Sequence, residues 1–436
     1  MSKKITAPKE FSYVQTSDGI DEFRLDSNGL RVLFFEDHAA PVVNVMVTYH
    51  VGSRNEAVGF TGATHLLEHL MFKGSKNFNK KNKKQIWNLL EARGARMNAT
   101  TWFDRTNYYE TIPSEFLEDA LAIEADRMRE AYIREEDRAS EMTVVRNEFE
   151  WGENSPFEAL DKNIWATAYQ AHPYHHSTIG WRSDIENVSI KRLKEFYDTF
   201  YWPNNATLTL IGDFDKEATF SLITKYFGKH SRSKHDIPVM YTTEPKQEGE
   251  RRVTVSRTGQ TRIIGIAHKT PEGSHSDIHA LQVLSSILGR GRTSRLYKLL
   301  IDTGKATNIM PWAMPLHDNG LFMLYLTLTP NTKHEDVEAI VIRQYEDIKK
   351  KGVTAAEVAK AQTQVVADMA LARDGYYNIA SALNESLALG DWTFYTTFKE
   401  KILKVTPQDV ARVACTYLDQ SQSTVGYFIP KKSSTK

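Results

Sequence analysis

The residues with the clearest chemical potential are two histidines and a glutamate in the segment THLLEHLMF. His65 and His69 stand four residues apart, and Glu68 directly precedes the second histidine. Residues at i and i+4 share one face of a helix, so both imidazoles can converge on a single metal ion. Glu68 borders the same face, where its carboxylate is close enough to polarise a water molecule at the metal. The apolar residues around the three side chains indicate a packed helix rather than a solvated one.

A third metal ligand must come from elsewhere, because a catalytic zinc ion usually takes three protein ligands and one water molecule. The segment EMTVVRNEFEWGEN supplies two candidates, Glu141 and Glu148. At this spacing they lie two turns apart on one helix face, so one carboxylate can bind the ion while the other hydrogen-bonds a ligand. Taken alone, the spacing is also typical of a solvated helix face. Two histidines and a carboxylate do not by themselves select zinc over manganese or cobalt.

The composition narrows the class of protein. The chain has 436 residues, of which 41% are hydrophobic and 25% charged, as is typical of a globular protein with more than one domain. Lys+Arg and Asp+Glu both number 55, so no net charge draws the chain to nucleic acid. The single cysteine, Cys415, excludes an intrachain disulfide and a cysteine-built zinc site. We find neither a membrane-spanning apolar run nor a secretory signal, so we expect a cytoplasmic protein, with a periplasmic location as the alternative.

The elements that must carry these residues form a duplicated pattern. VSIKRLKEFYDTFYWPNNATLTLIG from Val188 aligns with VTPQDVARVACTYLDQSQSTVGYFI from Val405, at a constant offset of 217 residues. Both segments have the apolar period of a helix, a turn and a strand. We therefore predict an α+β protein of two homologous αβ domains, each a mainly antiparallel sheet packed with helices. The predicted parts are an N-terminal zinc-binding domain, a polar linker and a C-terminal domain, at residues 1–230, 231–251 and 252–436.

These segments together resemble the pitrilysin-type inverted-zincin peptidases, a family that includes pitrilysin, insulin-degrading enzyme and the mitochondrial processing peptidase. The resemblance covers nearly the whole chain, and its main landmarks are GATHLLEHLMFKGS, ARMNATTWFDRTNYYET, EMTVVRNE, HPYHHSTIGW and RTSRLYKLL. It implies a half-clamshell fold that binds one zinc ion per chain. It also implies an endopeptidase that hydrolyses peptides or unstructured polypeptide segments.

The resemblance further implies a role for each site residue. The zinc ligands that it implies are His65, His69 and Glu148. Glu68 would act as the general base, and Glu141 would support the ligands from behind. Asn98 and Ala99, in the segment NATT, would lie on an edge strand and contact the main chain of a substrate that adds to the sheet as a further strand.

One pair of family residues is missing from the second half. Family members that act alone, or that complete the site of another subunit, carry an Arg and a Tyr seven residues apart after the SRL-type helix. The corresponding positions here are Ile301 and Asn308, or Leu300 and Thr307 with a shift of one residue. The resemblance therefore implies the zinc-bearing half of a heterodimer, with the Arg and Tyr supplied by a homologous subunit. A self-sufficient homodimer and a non-catalytic structural subunit are the two alternatives.

Two further segments are rich in one residue type. HPYHH at 172–176 could hold a metal, but histidines in a proline-containing loop favour an ordinary loop role. KGSKNFNKKNKKQ at 73–85 is expected to form a solvated loop and a helix start, with a docking surface as the alternative.

Overall fold

The computed structural model of the chain describes residues 7–431, which form two β-sheets with helices packed on them. The strands of the first sheet are β1 (Phe11–Ser17), β2 (Ile20–Leu25), β3 (Arg31–Glu36), β4 (Val42–Tyr49), β5 (Arg96–Thr101), β6 (Thr106–Pro113) and β7 (Ala206–Gly212). Those of the second sheet are β8 (Arg251–Thr258), β9 (Arg262–Lys269), β10 (Ala306–Met314), β11 (Leu321–Leu328) and β12 (Ser423–Lys431).

The α-helices of the described residues lie between these strands along the chain, singly or in runs of up to five. They are α1 (Ala63–Leu70), α2 (Ile86–Ala92), α3 (Leu117–Glu130), α4 (Glu135–Asn154), α5 (Pro156–Ala168), α6 (Arg182–Asn187), α7 (Ile190–Phe200), α8 (Lys216–Phe227), α9 (Asp277–Gly289), α10 (His334–Lys351), α11 (Ala355–Leu371), α12 (Tyr376–Ala388), α13 (Thr393–Leu403) and α14 (Pro407–Tyr417). Every helix within residues 7–431 is too short or too polar to span a bilayer.

Both sheets are mainly antiparallel. The first has the strand order β1-β2-β3-β7-β4-β6-β5, and the second has the order β10-β11-β9-β12-β8. The parallel pairs are β3 with β7 and β8 with β12, and all other neighbours run antiparallel. The predicted α+β class with two mainly antiparallel sheets is confirmed.

The two sheets repeat one topology. If β3 to β7 are matched in chain order with β8 to β12, the spatial order β3-β7-β4-β6-β5 becomes β8-β12-β9-β11-β10, which is the order observed. The matched elements also keep the offset found in the sequence. Ile190, the first residue of α7, corresponds to Pro407 of α14, and Ala206 of β7 corresponds to Ser423 of β12.

The contacts divide the chain into two compact units, each with segments from both halves of the sequence. One unit comprises the residues up to Asn147, Ser177–Tyr241 and Ala372–Ala388. The other comprises Glu148–His176, Thr242–Leu371 and the residues from Leu389 onward. The first boundary falls inside α4, which is one continuous helix. Helix α5 of the first half thus packs on the second sheet, and α12 of the second half packs on the first. The linear division into 1–230 and 252–436 did not anticipate this exchange.

Two glycines make room for α5 on the second sheet. Ile164 of α5 is fully buried and lies directly over Gly265 of β9 and Gly426 of β12. A Cβ atom at Gly265 would lie 2.4 Å from Cδ1 of Ile164, and one at Gly426 would lie 2.6 Å from its Cγ1. Because neither glycine has a side chain, the helix can approach the sheet closely at these two positions.

Candidate metal centre

Helix α1 begins at a fixed point because its first turn is tied to a buried carboxylate. The side chain of Glu56 accepts hydrogen bonds from the backbone N–H groups of Gly62 and Thr64, both at 2.7 Å. Gly62 adopts a left-handed conformation with φ of 84°, and a Cβ atom there would lie 2.3 Å from the carbonyl oxygen of Ile179. A larger residue at position 62 would therefore displace the start of the helix that carries the two histidines.

The histidines project from a helix whose opposite face is fully packed. Leu66, Leu67 and Leu70 are fully buried, whereas His65 and His69 are half-buried. The two imidazole rings lie with their centroids 4.8 Å apart. Burial, and secondarily the nearby His69, lowers the pKa of His65 to about 3. The ring of His65 is therefore neutral at physiological pH, which is the form that binds a metal ion.

Glu148 joins the two histidines in one cluster. It is exposed on α4, and its carboxylate and the ligand nitrogens of His65 and His69 all lie within 4.8 Å of one another. Two imidazole nitrogens and one carboxylate oxygen are a donor set that zinc takes at about 2.0–2.2 Å. The residues present therefore fit a zinc ion. Among residues 7–431, no other group of His, Cys, Asp or Glu converges in this way.

Glu141 lies behind the cluster, two turns before Glu148 on the same helix. Its Oε2 lies 3.0 Å from Nδ1 of His69, and its other oxygen pairs with Lys73. Burial by itself would raise the pKa of Glu141, but the hydrogen bonds from Lys73 and His69 outweigh burial and lower the pKa. The ionised carboxylate accepts the Nδ1–H of His69, which leaves the Nε2 lone pair available to a metal ion.

Glu68 is 8% exposed, and its carboxylate is held by a residue of the neighbouring strand. The hydroxyl of Thr101 donates a hydrogen bond of 2.5 Å to Oε2 of Glu68. Thr101 ends β5, and α1 packs against this strand. The contact fixes the orientation of the Glu68 carboxylate beside the two histidines of α1.

Strand β5 is an edge of the first sheet. It pairs on one side with β6, with Asn98 opposite Tyr109 and Ala99 opposite Tyr108. The side chain of Asn98 is exposed, and that of Ala99 is buried on the side of Thr101. The two residues thus occupy an edge strand beside the metal-binding helix, and no described strand pairs with its outer side.

Sequence reasoning named the cluster but missed three of its supports: Glu56, which caps α1, Lys73, which pairs with Glu141, and Thr101, which holds Glu68. Lys73 and Thr101 lay in segments already singled out, but neither residue had been assigned a role there. HPYHH forms loop structure, because His172 accepts a hydrogen bond from the backbone of Tyr174 and pairs with Asp318.

The family of the chain follows from its sequence relatives. Residues 31–181 match the family described as "Insulinase (Peptidase family M16)", and residues 187–365 match "Peptidase M16 inactive domain". Zinc protease PqqE of Helicobacter pylori is 32% identical over 408 residues, which span 92% of this chain and 91% of that protein. The chain belongs to the M16 peptidase family, and this Helicobacter pylori relative is named a zinc protease.

Other relatives agree with this assignment. The probable mitochondrial-processing peptidase subunit beta of Schizosaccharomyces pombe is 27% identical over 399 residues, spanning 89% of this chain and 86% of that protein. The crystal structure of a protease from Helicobacter pylori superposes with a TM-score of 0.87 at 31% identity, covering 96% of this chain and 99% of that chain.

Proposed function

We propose that this chain is a zinc-dependent endopeptidase and the catalytic subunit of a heterodimer. The observation that carries the proposal is the convergence of His65, His69 and Glu148 beside the carboxylate of Glu68. The zinc protease relatives support the same activity. In this assignment His65, His69 and Glu148 hold the ion, of which there is one per chain.

Glu68 is the general base of the proposed reaction. When bound, a zinc ion supplies Lewis-acid polarisation of the scissile carbonyl and lowers the pKa of a water molecule. The Oε1 of Glu68 accepts the proton of the attacking water molecule and then returns it to the amine leaving group. Thr101 keeps Oε2 engaged throughout, so the carboxylate does not rotate away from the reacting atoms.

The substrate main chain lies along β5 in this proposal. An unpaired strand edge offers backbone N–H and C=O groups in the spacing that an extended peptide needs. Asn98 and Ala99 provide these groups next to Thr101 and hence next to Glu68. Main-chain pairing selects for an extended, unstructured segment rather than for a particular side chain.

The partner subunit supplies an Arg and a Tyr. Ile301 and Asn308 stand where family members that complete the site carry these two residues, and neither side chain can donate a cationic or phenolic hydrogen bond. A homologous subunit that carries the pair would stabilise the oxyanion that develops on the scissile carbonyl.

The test measures zinc content and hydrolysis together. The purified chain, with and without a co-expressed homologous subunit, is assayed on a quenched fluorescent peptide. Glu68→Gln serves as the blank, because it removes the base and leaves the ligands in place. Glu136→Gln, an exposed position on α4, is the matched control for a lost carboxylate. We expect about one zinc ion per chain in all three proteins, and a rate lower by about a thousandfold or more in Glu68→Gln alone.

Each outcome separates one part of the proposal from the others. Hydrolysis only with the partner supports the heterodimer. Hydrolysis by the chain alone supports the peptidase and refutes the need for a partner. A chain that holds no zinc and is inert in both preparations refutes the peptidase and favours a structural subunit.

A further inference from the structure

Four lysines stand together on the loop that follows the metal-binding helix. Lys80, Lys81, Lys83 and Lys84 are exposed, and none forms an ion pair with the residues that the structure describes. Five consecutive residues span at most about 17 Å, so the four charges act as one patch at physiological ionic strength. We call residues 73–85 the lysine loop.

A buried carboxylate anchors the base of the lysine loop. Asp126 of α3 is 1% exposed, and it accepts hydrogen bonds from the Ser75 hydroxyl (2.6 Å) and from the backbone and side-chain amides of Asn77 (2.9 and 2.6 Å). The backbone of Lys76 donates to the carbonyl of Glu130. The base of the loop is therefore fixed to the end of α3.

Asn79 holds the rest of the loop in shape. Asn79 is buried and its side-chain amide donates to the carbonyls of Ser75 and Lys76, at 2.9 and 3.0 Å. The side-chain Oδ1 of Asn79 accepts a hydrogen bond from the backbone N–H of Asn82. The backbone carbonyl of Asn79 accepts one from the backbone N–H of Lys84. Like charges so close together repel one another, yet these hydrogen bonds hold together the backbone that carries them. Such a concentration of positive charge on a held backbone is suited to an anionic partner.

The lysine loop joins the two helices that pack against the edge strand. It follows α1 and leads into α2, and both helices contact β5. Arg96, the first residue of β5, is also exposed and forms no ion pair with the described residues. Positive charge therefore extends from the loop to the strand edge on which the proposed substrate lies.

We propose that the lysine loop and Arg96 bind an acidic segment of the polypeptide substrate, outside the scissile bond. The inference rests on the proposed function, since it takes the peptide on β5 as the source of the acidic side chains. A patch of five charges on a chain of zero net charge is small for nucleic acid, which typically engages six to ten phosphate contacts. The strand edge next to the patch accepts peptide main chain, and this favours a polypeptide over a lipid surface.

The experiment measures binding to the Glu68→Gln protein, which does not turn the peptide over. Two labelled peptides share one central sequence, and they differ only in flanking Asp and Glu residues that are replaced by Asn and Gln in the second peptide. We expect the acidic peptide to bind about tenfold more tightly at about 0.05 M salt, and the preference to shrink at about 0.5 M.

Two loop variants and one control variant test which residues carry the preference. Replacement of Lys80, Lys81, Lys83 and Lys84 by Gln should reduce the preference to within about twofold, and replacement by Arg should retain it. Gln at Lys350, Lys351, Lys360 and Lys399, which are exposed on α10, α11 and α13, removes the same total charge and should leave the preference intact. The Arg variant shows whether a fall in binding comes from lost charge or from a disturbed loop.

The results that would overturn the inference are distinct from those that would overturn the proposed function. Equal affinity for the two peptides, or an unchanged preference in the Gln variant, refutes it. Tighter binding to duplex DNA or to phosphatidylserine vesicles that the Gln variant loses also refutes it. Acidic-peptide binding that depends on the loop, in a wild-type protein that does not hydrolyse the peptide even with the homologous subunit present, would instead refute the endopeptidase proposal.

Discussion

Replacing Glu141 tests how the metal centre is organised, because this carboxylate contacts a ligand without joining the cluster. Glu141→Ala removes the acceptor of the His69 Nδ1–H bond, a charge-assisted contact of 3.0 Å. Losing such a partner of a ligating histidine typically weakens metal binding by about tenfold to a hundredfold, or about 1.4–2.7 kcal/mol. Glu141→Gln keeps a neutral acceptor, so we expect only about a fivefold loss, since a hydrogen bond to a charged group is about twice as strong as a neutral one.

The ion pair between Lys73 and Glu141 adds a second prediction about zinc affinity. In Glu141→Ala the ammonium of Lys73 loses its partner and remains near His69, which adds an unfavourable positive charge beside the metal ion. The double replacement of Glu141 by Ala and Lys73 by Met removes both charges. It should therefore bind zinc more tightly than Glu141→Ala alone, though less tightly than the wild type.

The assay is zinc affinity by competition with a fluorescent chelator, with the melting temperature of the metal-free proteins as a check on folding. Glu136→Gln is the control for an exposed carboxylate on the same helix. Zinc affinity in Glu141→Ala within about twofold of the wild type would refute the role assigned to the His69–Glu141 contact.

Three further predictions concern other parts of the chain. Thr101→Val should lower kcat about tenfold with unchanged zinc content, and Thr101→Ser should restore it, as steady-state kinetics will show; an unaltered kcat in the valine variant would exclude the positioning role. Ile164→Ala should lower the free energy of unfolding by about 2–4 kcal/mol in chemical denaturation, because the side chain is fully buried over two glycines. Burial would raise the pKa of Glu244, but hydrogen bonds from Lys269 and from the backbone N–H groups of residues 170–172 lower it from 4.5 to about 2. The ionised Glu244 therefore contributes fully to the free energy of unfolding above about pH 4.5, and this contribution is lost as the pH falls through about 2. In chemical denaturation, wild type and Glu244→Gln should differ in free energy of unfolding at pH 7 and become equal in acid.

The duplicated segments were predictable because their apolar positions repeat with the period of the elements they form. Leu193 and Val410 occupy corresponding places on α7 and α14, and both are fully buried. By contrast, β1 was not predicted. Six of its seven residues are exposed or half-buried, so it lacks the alternation that indicates a strand, and it forms because β2 offers a partner.

The exchange of α5 and α12 leaves no local signal in the sequence. It depends on Ile164 meeting glycines about a hundred residues or more further along the chain, at positions 265 and 426. An amphipathic helix pattern indicates that a helix has an apolar face and does not indicate which sheet covers it.

In the candidate site, residue spacing predicts which side chains share a helix face, but tertiary contacts determine which of them joins the metal cluster. Seven-residue spacing predicts that Glu141 and Glu148 share a helix face, and they do lie on one helix. Which of the two joins the histidines depends on Lys73 and Nδ1 of His69, which occupy both oxygens of Glu141 and leave Glu148 to the cluster. Resemblance to a family supplied that choice, and residue spacing alone did not.

The exchanged helices have a consequence for how the polypeptide tolerates cutting. A single proteolytic cut in residues 231–251 would leave α5 on the N-terminal fragment and α12 on the C-terminal fragment. Each fragment would then carry a helix that packs on the sheet of the other fragment. Expressed separately, each fragment would expose an apolar sheet face and depend on its complement for solubility. The two halves are therefore a repeat in sequence but an obligate pair in folding, and they can be split only as fragments that reassemble.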